Sequence, residues 1–117
     1  MEQEQAILAF AALAQSTRLA VFRLLVRHEP EGLAAGQIAK ALAVPQNTMS
    51  AHLAVLARAG LVISERKSRS IIYRADLVTL QELMSFMVDD CCGGRAEFCA
   101  PLPSCKPVRG KRAKLSV

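Results

Sequence analysis

Tryptophan is absent from these 117 residues, and all aromatics together make up 4%. Any core must therefore be built from Leu, Ile, Val, Met and many Ala. No apolar run reaches the roughly 20 residues of a bilayer span. Arg18, Arg23, Arg27 and Lys40 interrupt each candidate. The start Met1-Glu2-Gln3-Glu4 is acidic and lacks the basic opening of a secretory signal. These absences lead to the expectation of a cytoplasmic protein with no membrane partner. Histidine is scarce too: His28 and His52 are the only two. No nucleophile–base constellation is visible, so an enzyme is not expected, and no organic cofactor is implied. Cysteine is missing from the first ninety residues.

What is present then stands out. At this length the chain is one small domain. A small Ala-rich helical core is often completed by dimerisation, which buries apolar area that one copy leaves open. The formal charge is +5, but it is unevenly placed. Lys106, Arg109, Lys111, Arg112 and Lys114 lie in a tail without an acid, and residues 1–105 are neutral. Any nucleic-acid reading must rest on local placement, not on the total.

Helical spacing of Ile7, Phe10, Ala11 and Ala14 predicts a helix over 3–14. Ser16 is a candidate N-cap for a second helix, with Leu19, Phe22, Leu25 and Val26 as its buried face. His28 to Gly32 ends it. A third helix is expected over 34–42, with Ile38 and Leu42 one turn apart. After the break Ala43-Val44-Pro45, a fourth helix runs over 46–59, with Met49, Leu53 and Leu56 inward, and Gly60 stops it. Leu61–Glu65 and Ile71–Arg74 are short β-branched segments around a polar, basic loop, which reads as a hairpin. Asp76 caps a fifth helix with Leu77, Leu80, Met84, Met87 and Val88 on one stripe. Gly93-Gly94 ends it. The expected fold is mainly α with a small hairpin, a winged helix-turn-helix of order α-α-α-α-β-β-α. The expected organisation is a DNA-binding and dimerisation domain over 1–92, a Cys-containing sensor segment over 93–105, and a basic, disordered tail over 106–117.

Every thiol falls just after the fifth helix: Cys91, Cys92, Cys99 and Cys105. Gly93 and Gly94 let the backbone double back, so Cys99 can approach the Cys91–Cys92 pair. Three thiolates suit a soft trivalent ion such as As(III) or Sb(III). Zinc, cadmium or lead would take the same donors, with Cys105 as a fourth, although zinc more often uses C-x2-C clips. Thiol-redox sensing is a further alternative. A helix C-terminus beside Asp89 and Asp90 disfavours the thiolate that it needs. The blandest alternative is that the cysteines are incidental. A bound ion must displace the thiol protons, so affinity should fall at low pH. Cys105, beyond two prolines, is a spare or alternate ligand.

Two segments carry a resemblance. Gln15-Ser16-Thr17-Arg18-Leu19 opens the second helix. Gln46-Asn47-Thr48-Met49-Ser50-Ala51-His52-Leu53, running on to Ala59-Gly60-Leu61-Val62, follows the turn. Both resemble the arsenic-repressor (ArsR/SmtB) family of winged helix-turn-helix regulators, over about residues 6–92. Ala43 stands where that family usually has a turn Gly, Pro45 where it has a capping Ser, and the wing loop has no Gly. The resemblance implies a homodimeric repressor that leaves double-stranded operator DNA when a metal or metalloid binds. An interface built from Ile7, Phe10, Leu80, Met84 and Met87 is expected, the alternative for the Met84–Met87 stripe being the chain's own core. The family's helix-three Cys-Val-Cys site is missing here, and helix five has no His for its zinc or nickel sites. What remains is similar to a branch that binds arsenite through a vicinal Cys pair and a third Cys, here Cys91, Cys92 and Cys99.

Candidate DNA-reading residues follow from helix four and the hairpin. Gln46 and Asn47 can pair bidentately with adenine; Thr48 and Ser50 can take bases or phosphates. His52 follows on the same helix and is either a reader or a packing residue. Arg66, Lys67 and Arg69 stand where a wing would meet phosphates or the minor groove.

Overall fold

The structure is a computed structural model and describes residues 1–91, with side chains through Val88. The expectations placed on Cys92, Cys99, Cys105 and the basic tail lie outside the described residues, as does the side chain of Cys91. Five helices and three strands follow in the order α1 (Gln3–Leu13), α2 (Ser16–Arg27), β1 (Leu33–Ala34), α3 (Ala35–Leu42), α4 (Gln46–Arg58), β2 (Val62–Lys67), β3 (Ser70–Ala75) and α5 (Leu77–Cys91). This is the winged helix-turn-helix expected, with one correction. A short strand, β1, precedes α3 and extends the hairpin to a three-stranded sheet of order β1-β3-β2. Two residues are too few to show a period of two, so the sequence carried no strand signal there. Leu33 pairs with Tyr73 and Ala34 with Ile72, both antiparallel.

The core forms where helix stripes converge on the sheet's base. Met49, Leu53 and Leu56 of α4 are all buried, spaced as one helical face. They share one core with Val21, Phe22, Leu24 and Leu25 of α2, Ile38 and Ala39 of α3, Leu61 and Val62 before and in β2, and Leu83 of α5. Burying one such Leu contributes about 1.5–3 kcal/mol over leaving it exposed.

On α1 the buried residues are Ala6, Ala9 and Ala12, while Ile7 and Phe10 are exposed, as the expected interface role requires. Small side chains let α1 lie close against its neighbours, so the larger ones are displaced outward. On α2 two side chains face differently from the expectation: Leu19 and Val26 are exposed, and Val21 and Leu24 take their place inside. On α5 the residue that reaches the core is Leu83, whereas Leu77, Met84 and Met87 are exposed. Ser16 is not the cap of α2: the Gln15 side chain accepts the Arg18 N–H at 2.8 Å, and Ser16 is the first helical residue. Asp76 does cap α5, accepting the Thr79 N–H at 3.2 Å.

The tight α3–α4 turn is a Schellman closure. Val44 N–H donates to Ala39 O at 3.0 Å and Ala43 N–H to Lys40 O at 3.3 Å. Ala43 is thereby forced left-handed, at φ 56 and ψ 47. Gly32 also has positive φ, and a β-carbon there would lie 2.6 Å from both Arg74 Cγ and Tyr73 O. The two positions predict opposite outcomes in urea unfolding. Ala43→Gly should raise stability by about 1 kcal/mol, because it removes left-handed strain. Gly32→Ala should lower it, because both strain and collision appear. A loss on Ala43→Gly would show that the turn is not strained as described.

Candidate nucleic-acid interface

Burial of one face of α4 defines what the other face can do. With Met49, Leu53 and Leu56 turned inward, Gln46, Asn47, Thr48 and Ser50 are all exposed. They lie in the first two turns, the part of a recognition helix that meets base edges. Pro45, the N-cap, supplies no capping oxygen. Asn47 partly compensates: its Oδ1 accepts the Thr48 N–H at 2.8 Å. The Gln46 amide lies over α3, 3.9 Å from where a β-carbon on Gly36 would stand.

His52 is placed differently from the other four. It is half-buried, and its Nδ1 lies 3.5 Å from Arg18 Nη1. It faces the junction of α1 and α2 rather than the open polar surface.

The wing is the β2–β3 hairpin, with Lys67 paired to Ser70 as its last rung. Arg66 and Lys67 belong to β2 itself, and the connection is only Ser68 and Arg69. Ser68 takes the positive φ of 57 that a Gly would otherwise supply. Arg66, Lys67 and Arg69 are all exposed. Among the described residues the ion pairs are those of Arg74, so these three cations remain available for an outside anion.

Arg74 fixes the base of this wing. Its Nη2 and Nε donate to the two carboxylate oxygens of Glu29 at 2.8 and 3.2 Å, and its Nη1 donates to Glu65 at 3.3 Å. The hydrogen bond to Glu29 raises the Arg74 pKa above its usual value, desolvation opposes it, and the charges of Glu29 and Glu65 add to the rise. Sequence reasoning missed this brace. Glu65 could have been found from strand register, since its partner Ile72 sits two residues from Arg74 on the same face. Glu29, 45 positions away in the chain, left no such signal.

A second exposed surface is apolar. Ile7, Leu8 and Phe10 of α1 and Leu77, Met84 and Met87 of α5 are all exposed. Helices α1 and α5 pack against each other. No single helix among the described residues is long and apolar enough to cross a membrane. Also among the described residues, no group of three or more His, Cys, Asp or Glu is placed to hold a metal ion.

Fold and surface together define a winged helix-turn-helix domain. A helix-turn-helix domain family matches residues 13–65. No curated protein matches the chain. Among solved structures, an ArsR-like transcriptional regulator from Rhodococcus sp. RHA1 is 27% identical, with a TM-score of 0.72, covering 83% of this chain and 89% of that one. A possible ArsR-family regulator from Mycobacterium bovis, a homodimeric winged helix-turn-helix fragment, is 28% identical, with a TM-score of 0.60, covering 79% and 85%. A protein described as a possible transcriptional regulator for arsenical resistance is 30% identical, with a TM-score of 0.54, covering 71% and 88%. The chain belongs to the ArsR family of winged helix-turn-helix transcriptional regulators.

The Arg74 brace carries its own prediction. Glu29→Gln should speed amide exchange in the wing, residues 66–71, several-fold relative to the buried half of α4. Equal exchange in the two proteins would show that Glu29 does not hold the wing.

Proposed function

We propose that this regulator is a dimeric repressor, which grips operator DNA with α4 and the wing and releases it when As(III) or Sb(III) binds Cys91, Cys92 and Cys99. The observation that carries the DNA half is the polar start of α4, anchored from behind by Met49, Leu53 and Leu56 and flanked by wing cations that have no ion-pair partner among the described residues. Gln46 and Asn47 read base edges, Thr48 and Ser50 take bases or phosphates, and Arg66, Lys67 and Arg69 meet the backbone.

Dimerisation is supported by the exposed apolar residues of α1 and α5 and by the homodimeric state of the Mycobacterium bovis relative. A dimer places two copies of α4 for two half-sites, so a change at the end of α5 alters their spacing. Helix α5 is described as far as Cys91, and Cys92 and Cys99 follow it closely in the chain. Three thiolates match the pyramidal, thiophilic chemistry of As(III). One relative is described as a regulator for arsenical resistance, which agrees with that ligand class. Cys105 serves as an alternate ligand and is not essential.

The sensor half is tested by fluorescence anisotropy on a duplex enriched from a random pool by the full chain. Arsenite should release the wild-type protein at about one ion per protomer. Cys99→Ser should bind the duplex as tightly but stay bound. Release of Cys99→Ser at the wild-type arsenite concentration would contradict a three-thiolate site. Release by zinc, cadmium or peroxide, but not arsenite, would assign the cysteines to a different signal.

The reading half is tested by Gln46→Ala and Asn47→Ala. Each should lose discrimination between the enriched and scrambled duplexes, by about 1–3 kcal/mol per bidentate contact. Arg69→Ala should weaken binding to both alike. If neither Gln46→Ala nor Asn47→Ala changes the ratio, α4 is not the reader.

A further inference from the structure

The last carbonyls of any α-helix lack partners within the helix. In α1 two of them find one side chain. Arg18 donates from Nε to Ala12 O at 2.7 Å and from Nη2 to Ala11 O at 3.5 Å. Its remaining arm, Nη1, lies 3.5 Å from His52 Nδ1 on α4. A guanidinium can only donate, so in this contact Nδ1 takes the accepting role. The guanidinium is a rigid planar fork, so its three contacts do not move independently. A shift of the α1 end carries the fork with it, and the fork carries His52.

This junction joins two surfaces with different partners. Helix α1 bears the exposed Ile7, Leu8 and Phe10. Helix α4 bears Gln46, Asn47, Thr48 and Ser50. We infer that Arg18 and His52 set the angle of the recognition helix against α1, so that seating of a second copy on the α1 face is felt at the DNA-reading residues. His52 is then a positioning residue that acts through Arg18, not a base contact. The inference rests on the reading of α4 as the DNA-binding helix.

The test is a double-mutant cycle on the full-length protein. A duplex is first enriched from a random pool with wild-type protein. Affinities for it and for a scrambled duplex are then measured for Arg18→Met, His52→Leu, the double variant and His52→Asn, well below each melting temperature. Each single variant should lose about three- to tenfold in affinity for the enriched duplex, and the double variant should be no worse than the weaker single one. His52→Asn keeps an acceptor near the Nδ1 position and should recover most of the loss. It also keeps the test open if His52→Leu folds poorly. Pools re-enriched with His52→Asn and Arg18→Met should yield the wild-type sequence. Additive losses, absence of any loss, or a changed base preference with a His52 variant would overturn the junction. A wild-type chain that enriches no sequence would remove the DNA reading itself, and this inference with it.

Discussion

One buried stripe organises the rest of the molecule. Met49, Leu53 and Leu56 lie along a single face of α4 and are almost wholly removed from water. They lock the rotation of α4 about its own axis. Once that rotation is set, Gln46, Asn47, Thr48 and Ser50 have no choice but to face outward. Helix α4 packs against α1, α2, α3 and β2, so its orientation and the stability of the domain rest on the same contacts. Three apolar knobs at helical spacing, rather than one large aromatic, anchor α4.

Two arginines finish what the apolar core leaves loose. Arg18 ties the end of α1 to α4, and Arg74 ties the wing to the segment after α2. Each binds through a fork rather than a point, so each restrains direction as well as distance. The start of α4 and the wing are the two parts that the proposed function places against DNA, and each is held by one of these forks. Ile7, Leu8 and Phe10 of α1 and Leu77, Met84 and Met87 of α5 are left outside, as the proposed dimer requires.

Much of this was legible in the chain, for identifiable reasons. Helix α4 was clear because its buried residues are large and its exposed ones polar, so the period shows. The hairpin was clear because the period changed from helical to alternating. Helix α1 hid its buried face because alanine forms it: Ala6, Ala9 and Ala12 attract less notice than Ile7 and Phe10, which were expected at an interface and are exposed. In α5, Leu83 hides among neighbours of equal hydrophobicity. The Arg18–His52 contact joins residues 34 apart, and the Arg74–Glu29 pair joins residues 45 apart; no local pattern reports such pairs. His52 follows four exposed polar residues of α4 in sequence, and its turn toward Arg18 separates it from them.

The central claim is that the open face of α4 and the tip of the wing form one continuous DNA-reading surface. Amide chemical-shift mapping, with the enriched duplex titrated into isotopically labelled protein, tests it most directly. The account predicts that the strongest perturbations fall on residues 46–50 of α4 and 66–69 of the wing. Smaller ones should appear at Arg18 and His52. Perturbations centred on the exposed faces of α1 and α5, with residues 46–50 unmoved, would contradict it.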